Sequence, residues 1–317
     1  MAKKHRFPRR LLISGATVTG ILAFFNHMVE EHAADNEFLD PGLGQFYHWN
    51  NTNVFYRKEG SGDTPLLLIH SATVISSGHE FTSVIKGLSE KYTVYVLDLP
   101  GCGCSDKKPV TYTNFYFTSL ISSFIKNVIG EKTVVAASGL SSSFAVMAAH
   151  SNKDLVEKLY LFNPPSNEQL SRIPNHYSGY LMSVISFPVI GKAVYNAMTN
   201  RIQVYRALES KYFKDPERIR SHTVGASYES AHRGQSGGRY LMASLNGQYM
   251  NWNIRKALSK LTVPVTICCS TSVNGAQTAA NGYKKYAPGV TIIKMEDTGL
   301  LPQLERPEEF ISILLDE

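Results

Sequence analysis

The longest apolar segment of the chain lies near its start, from Leu11 to Val29. It contains nineteen mostly apolar or small residues and no charged side chain unless His27 is protonated. A helix of this length rises about 28 Å, close to the thickness of the hydrocarbon core of a bilayer. The pattern therefore predicts an N-terminal transmembrane helix.

Beyond residue 40, short apolar runs alternate with segments in which apolar residues recur at helical spacing. The runs predict strands, at the aromatic stretches FYHW and VFYRKEG and then at 65–70, 93–99, 132–138 and 155–165. The spacing predicts helices at 75–92, 116–129 and after residue 140. This alternation is typical of a mostly parallel sheet with helices on both faces.

The alternation stops at residue 166, and the pattern stays mostly helical until about residue 259. We therefore predict a helical insertion, residues 166–258, within an α/β core. Strands are predicted again at 263–270 and 290–296, and a closing helix at 307–315. The predicted units are a basic segment with the anchor (1–30), a linker with the first strand (31–50), the core (51–165 and 259–317) and the insertion.

Charge changes the interpretation of the N-terminus. Much of the net charge of +6 lies in the first ten residues, MAKKHRFPRR, and the rest is nearly balanced, so nucleic-acid binding is not expected. A basic start before an apolar core also fits a cleaved signal peptide, and a buried domain helix is a third interpretation. For an anchor, the positive-inside rule places the basic end in the cytoplasm and the folded domain outside it.

The four cysteines do not predict a metal site or a disulfide framework. Cys102 and Cys104 flank a glycine, and Cys268 and Cys269 are neighbours on a predicted strand, where they must point to opposite faces. We expect buried free thiols. The sequence predicts no cofactor and no metal.

Three motifs in order resemble the α/β-hydrolase superfamily over roughly residues 50 to 315. They are the strand PLLLIHS, the turn D-x-P-G-x-G-x-S at Asp98 to Ser105, and the C-terminal segment GLLPQLERPEEF from Gly299. The resemblance implies a mostly parallel sheet flanked by helices, with the insertion as a helical cap. It also implies a serine nucleophile in a G-x-S-x-G turn, followed along the chain by an acid and a histidine.

The nucleophile position of that pattern falls on Gly139 when the strand and helix of VVAASGLSSSFAVMAA keep their register. A shift of two residues gives an alternative nucleophile, Ser141, and Ser138 is a third candidate. The structural interpretation of these serines is that they form the turn and cap the helix.

The acid and base positions also lack their usual side chains. The acid position falls on Val273, beside Asn274, and the sequence has no carboxylate between Pro264 and Pro288. The histidine position falls on Leu300, and all ten histidines lie at or before His232. Only His222 or His232 of the insertion remain as substitutes for the missing base.

The resemblance also assigns the oxyanion loop, with equivalents at Ser71, Ala72 and Leu140. Ser71 stands where relatives have a glycine, which changes how closely the backbone approaches a substrate. His70 before it is expected to have a structural hydrogen-bonding role.

These residues predict a membrane-anchored α/β-hydrolase-like protein that binds a small apolar or acyl-like ligand, or a protein partner of unknown identity, without ordinary triad hydrolysis. Two alternatives stay open. One is an active, esterase-like serine hydrolase that uses Ser141 and an atypical base, and the other is a non-hydrolytic enzyme such as a lyase or a cofactor-free oxygenase.

Overall fold

The computed structural model describes residues 9–34 and 38–315, with side chains from Thr17 onward except for residues 18 and 32–34. The basic residues 1–8 of the predicted anchor lie outside the described residues. Within the described part, eight strands form one sheet in the order β1-β2-β4-β3-β5-β6-β7-β8. The strands are β1 (Gln45–Trp49), β2 (Thr52–Glu59), β3 (Thr64–Ile69), β4 (Tyr92–Leu97), β5 (Thr133–Ser138), β6 (Val156–Phe162), β7 (Val265–Ser270) and β8 (Thr291–Met295).

The sheet is mostly parallel, as the sequence predicts. Only β2 runs antiparallel to its neighbours β1 and β4, and every pair from β4 to β8 is parallel. The central strands β5 and β7 are buried at every position. Strands covered on both faces need continuous apolar runs, which explains why these segments do not alternate with polar residues.

Helices connect and cover the strands. Those before the insertion are α1 (Arg9–Ala34), α2 (Thr82–Leu88), α3 (Asn114–Phe124) and α4 (Ser141–Ser151). The insertion contains α5 (Asn167–Leu170), α6 (His176–Ser186), α7 (Ile190–Met198), α8 (Arg201–Ala207), α9 (Ser221–His232), α10 (Arg239–Asn246) and α11 (Arg255–Leu258). The C-terminal part adds α12 (Ala276–Lys284), α13 (Pro302–Glu305) and α14 (Pro307–Leu315).

Side-chain caps define where several helices start. Ser166 and Gln169 form a capping box at α5, and Asn175 and Ser178 form another at α6. Each box satisfies backbone donors that a helix terminus leaves open.

Two predicted boundaries are wrong. The predicted helix at 75–92 is a 3₁₀ turn at Gly78–Phe81 followed by α2, because Ser77 starts the turn and Tyr92 already belongs to β4. The segment from residue 31, predicted as a linker, continues the first helix to Ala34.

The first helix, α1, contains the predicted transmembrane segment Leu11–Val29. Within the described residues, no single helix combines the length and apolar composition that a membrane span requires. The pair α6 and α7, bent by 100° at its break, passes that criterion only when both helices are counted together. The transmembrane helix therefore stays a prediction.

The core lies on both faces of the sheet. Cys269 packs in the cluster on one face with Phe144 and Tyr283, and Cys268 packs in the cluster on the other face with Phe162 and Phe310. This confirms that the neighbouring cysteines point in opposite directions, and all four cysteines are free.

A buried carboxylate joins the last loop of the core to the insertion. Glu305 is 1% exposed and accepts hydrogen bonds from the backbone N–H groups of Lys214, Asp215 and Gly299, at 2.8, 3.2 and 2.5 Å. Charge-assisted bonds of this kind are stronger than neutral ones. They fix the loop that begins at Gly299, which lies between β8 and α13.

We expect Glu305→Gln to lower the free energy of unfolding by about 2–4 kcal/mol, because the amide N–H₂ would face N–H donors that are left unpaired. Urea denaturation followed by circular dichroism measures the change. Glu308→Gln, at an exposed site on α14, is the matched control and should change it by less than about 0.5 kcal/mol. Equal effects of the two variants would contradict the role given to Glu305.

Candidate functional site

One open cleft of about 730 Å³ brings the three predicted triad positions together. Gly139 follows β5, Val273 follows β7 and Leu300 follows β8, and all three line the cleft. The carboxyl ends of parallel strands meet at one edge of a sheet, which is where ligand crevices form in open α/β folds. The start of the insertion, from Ser166 to Arg172, contributes to the rim.

The sharp turn between β5 and α4 has Gly139 at its apex. Its φ is +54°, in the left-handed region that favours glycine. A Cβ atom at this position would lie 2.5 Å from Oγ of Ser71. The Ser71 hydroxyl therefore occupies the space into which a side chain at the apex would project.

Ser141 is the first residue of α4, two positions after the apex, and faces the interior. It is fully buried, and its hydroxyl donates a 2.6 Å hydrogen bond to the carbonyl of His70. The hydroxyls of Ser142 and Ser143 donate to the carbonyls of Ala137 and Leu140. These serines have the turn-forming role, and the geometry does not present Ser141 as a displaced nucleophile. Ser138, the third candidate, is also buried, at 2% exposure.

The predicted acid position carries no ionisable side chain. Val273 lies in the turn after β7, where its N–H bonds to the carbonyl of Ser270, and Asn274 beside it is exposed. Sequence reasoning missed a different residue, Asn163, which follows β6 with a φ of +47°. The Asn-Pro-Pro stop at the end of the predicted strand was the available signal for it.

Asn163 holds three elements of the site together through one amide. Its Oδ1 accepts from the N–H of Ser270 at 2.8 Å, and its Nδ2 donates to Oγ of Ser270 at 2.9 Å and to the carbonyl of Gly299 at 3.2 Å. The end of β6, the end of β7 and the last loop are thereby fixed to each other.

The last loop places a hydrocarbon at the base position. Leu300 lines the cleft, and its N–H bonds to the carbonyl of Tyr212 in the insertion at 2.8 Å. The neighbouring Leu301 is 3% exposed and packs in an apolar cluster of the insertion with Phe213 and Tyr228. The loop keeps a defined position although it carries no imidazole.

Within the described residues, no histidine lines the cleft. His232 is buried, with Nδ1 2.9 Å from the carbonyl of Tyr228 and Nε2 3.2 Å from Oγ1 of Thr199. His222 lies in a separate cavity of about 300 Å³, where its Nδ1 is 3.3 Å from Nε2 of His79. Neither substitute base reaches the elbow in this structure.

His70 has the structural role expected from the sequence. It is fully buried, its Nε2 accepts from the N–H of Leu99 at 3.0 Å, and its Nδ1 is 2.8 Å from the carbonyl of Ser71. Because Nε2 accepts, the proton is on Nδ1, which donates to Ser71. Burial lowers the pKa of His70 and favours this neutral form.

The charged groups of the cleft lie at its rim. Glu168 and Arg172 line it near the start of the insertion, and Arg255 approaches the Glu168 carboxylate at 3.5 Å. Hydrogen bonds from its own backbone and from Ser166 lower the pKa of Glu168. Among the residues that the structure describes, no group of three or more His, Cys, Asp or Glu side chains is arranged to hold a metal ion.

Comparison with known proteins decides the family. The model of the alpha/beta hydrolase family matches residues 66–313, which is most of the chain. The chain belongs to the α/β hydrolase family. The strand order, the elbow after β5 and the last loop after β8 are therefore elements of this family's fold.

Solved structures support the same fold for this family member. The epoxide hydrolase CorEH without ligand has a TM-score of 0.69 and 22% identity, and the match covers 86% of this chain and 96% of that chain. A membrane phospholipase A, described as a novel bacterial virulence factor, has a TM-score of 0.66 and 18% identity, and the match covers 96% of this chain and 93% of that chain. At such identities the likeness shows the fold alone.

A relative by sequence is the soluble epoxide hydrolase of Corynebacterium sp. (strain C12). It is 30% identical over 114 residues, which is 36% of this chain and 39% of that protein. Because the match spans well under half of the relative's length, it does not transfer an activity to this α/β hydrolase family member.

The predicted oxyanion-loop equivalents have distinct surroundings. Ser71 is half-buried above the elbow, Ala72 is fully buried, and Leu140 is buried but lines the cleft. Serine at position 71 has two consequences. It replaces the glycine that the family pattern has in this loop, and its side chain fills the space above Gly139.

We expect Gly139→Ser to destabilise this protein by about 2–4 kcal/mol, through left-handed backbone strain and the clash with Ser71. Adding Ser71→Gly should recover at least about 1 kcal/mol of that loss, as a double-mutant cycle in urea would show. Gly275→Ser separates the two causes, because Gly275 has a φ of +79° and nothing within 4 Å of an added Cβ. Additive effects of the Gly139 and Ser71 changes would contradict the proposed clash.

A second prediction concerns His79, which faces His222, Asp98 and Arg57. Burial, followed by the charge of His222, lowers the pKa of His79 to about 4. In the unfolded chain the imidazole of His79 has a pKa near 6.5 and therefore binds a proton more tightly than in the folded protein. The contribution of His79 to stability is thus full above about pH 6.5 and is lost as the pH falls toward 4. The loss should be on the order of 1–3 kcal/mol.

Urea unfolding between pH 4 and pH 7 tests this dependence. His79→Gln should flatten the slope, whereas His48→Gln, at an exposed site on β1, should leave it unchanged. If the free energy of unfolding still falls with pH to the same extent in His79→Gln, other titrating groups cause the dependence.

Proposed function

We propose that this protein is a membrane-anchored member of the α/β hydrolase family that binds a small apolar or acyl-like ligand and does not hydrolyse through a serine triad. The observation that carries the proposal is the elbow. Its apex is a glycine with left-handed φ, and the space above it holds the Ser71 side chain. The fold's usual nucleophile position thus has no side chain at all.

The proton acceptor is missing as well. General-base assistance contributes about 10²- to 10⁴-fold to such reactions, and the hydroxyl of a serine is a poor nucleophile without it. Leu300 occupies the base position, and the sequence has no histidine after His232. The alternative of an active hydrolase through Ser141 has no support from a fully buried hydroxyl that already donates to a carbonyl.

The cleft itself supports binding. Its volume lies within the range of about 300–1,000 Å³ that is usual for small-molecule sites. Its inner wall includes Leu140, Val273 and Leu300, and its polar rim includes Gln169 and Asn251. An apolar wall with a few polar groups at the mouth suits an acyl-like chain with a polar end.

The anchor is supported by two observations. The segment Leu11–Val29 lies in one helix, α1. The match to the membrane phospholipase A covers 96% of this chain, whereas residues 38–317 make up only about 88% of it, so the match extends into the N-terminal segment. We place the basic N-terminus in the cytoplasm and the folded domain outside it.

We expect the purified protein to show no turnover of p-nitrophenyl butyrate and no covalent labelling by a fluorophosphonate probe. Decanoic or palmitic acid should raise its melting temperature by about 2–5 °C, because a ligand that binds only the folded state stabilises it. Differential scanning fluorimetry measures the shift.

Thr278→Trp should abolish this shift, because Thr278 lines the cleft and its exposed side chain can be enlarged without a core clash. Gln277→Trp, at an exposed neighbouring position of α12 outside the cleft lining, is the matched control and should keep the shift. Probe labelling together with turnover that Ser141→Ala abolishes would overturn the proposal. An equal shift in both tryptophan variants would place the ligand elsewhere.

A further inference from the structure

The C-terminal half of α1 has two faces of different character. Ile21, Phe24, Phe25 and Met28 recur at helical spacing and are 63, 65, 44 and 55% exposed. Asn26, on the other side, is only 4% exposed. An apolar stripe on the outer face of a helix is unpartnered surface, which soluble proteins usually keep small.

Polar contacts on the inner face fix α1 against α7. Asn26 donates from Nδ2 to the carbonyl of Val189 at 3.0 Å and accepts from Nδ2 of Asn196 at 3.0 Å. Glu30 pairs with Lys192 at 2.8 Å. Whatever surface α1 enters, α7 lies beside its last turns.

The exposed face of α7 continues the apolar stripe. Ile190, Val194 and Met198 are spaced by four residues and are 49, 40 and 54% exposed, and Phe187 just before the helix is 58% exposed. Ile202 on α8 adds a side chain that is 65% exposed. We call this surface the outer face; it consists of the exposed apolar side chains of α1, α7 and α8, together with Phe187.

Charge on this part of the insertion is mostly positive. From residue 169 to residue 208 the sequence has no Asp or Glu, while it contains Arg172, Arg201 and Arg206, and Lys192, which pairs with Glu30 of α1. Tyr177 and Tyr180 on α6 are 70 and 72% exposed and combine an apolar ring with a polar tip. Apolar residues flanked by cations and tyrosines are typical of helices that lie in the boundary between headgroups and acyl chains.

We propose that the outer face rests on an anionic phospholipid bilayer, with the side chains of α7 and α8 in the headgroup boundary. The inference rests on the proposed anchor, because the contacts of Asn26 and Glu30 bring α7 to the point where α1 leaves the membrane. The segment after β6 would thereby sit at the lipid surface, next to the rim of the cleft formed by Ser166 to Arg172.

The test uses the full chain in vesicles, with Met198→Cys carrying an environment-sensitive NBD dye. Spin-labelled lipids should quench this dye at least about twofold more than the same dye at Phe115→Cys, a 72% exposed site on α3 of the core. Phosphatidylglycerol in the vesicles should increase the quenching over pure phosphatidylcholine. Ile202→Cys repeats the measurement if Met198→Cys does not fold.

Failure of this surface and failure of the anchor are distinguishable. In one outcome the protein stays with the vesicles after alkaline carbonate washing, but the dyes at Met198→Cys and Ile202→Cys are quenched no more than the dye at Phe115→Cys. The anchor then stands, and the proposed lipid contact of the outer face is overturned. If the protein does not float with vesicles at all, the anchor fails and the surface with it. Disulfide cross-linking between two copies through Met198→Cys in vesicles would assign the outer face to self-association and overturn the lipid proposal.

Discussion

The tight turn between β5 and α4 is the constraint on which the site depends. A strand must end and a helix must begin within two residues, and the backbone achieves this through a left-handed residue at position 139. Glycine adopts that conformation at the lowest strain. In active relatives of this fold the same turn exposes a nucleophile, so the strain serves chemistry. Here the turn persists and Ser71 fills the space that it opens, which makes the elbow a packed structural element.

Buried polar groups hold the loops of the cleft in place. Glu305 joins the last loop to the insertion, and Asn163 joins the ends of β6 and β7 to that loop. Buried polar groups with several satisfied hydrogen bonds are costly to remove, since each partner would be left unpaired. These contacts hold the shape of a cleft that Leu300 and Val273 line at the predicted base and acid positions.

Local pattern predicted much of this architecture. The continuous apolar runs of β3, β5 and β7 and the helix at 307–315 need only short-range information. The elbow pattern, the spacing from Pro264 and the C-terminal motif placed Gly139, Val273 and Leu300 at the ends of β5, β7 and β8. The position of Ser71 above Gly139 depends on a contact between residues 68 positions apart, which no periodicity encodes. The side chains that hold α1 against α7 are also distant in sequence, since Asn196 contacts Asn26 and Lys192 pairs with Glu30.

In the proposed function, the absence of Asp and Glu from residues 169–208 and the apolar wall of the cleft both suit an amphiphilic ligand at a bilayer surface. An amphiphile with an acyl chain has a low concentration in water and a high one at a bilayer surface, because each buried methylene contributes about 0.8 kcal/mol to partitioning. If the outer face rests on lipid as proposed, such a ligand would reach the cleft rim, Ser166 to Arg172, from that surface more readily than from solution. Arg172, which lines the cleft, would attract a ligand with a negative headgroup. In the proposed function, a cleft without the triad would hold its ligand and leave the ligand's chemistry unchanged.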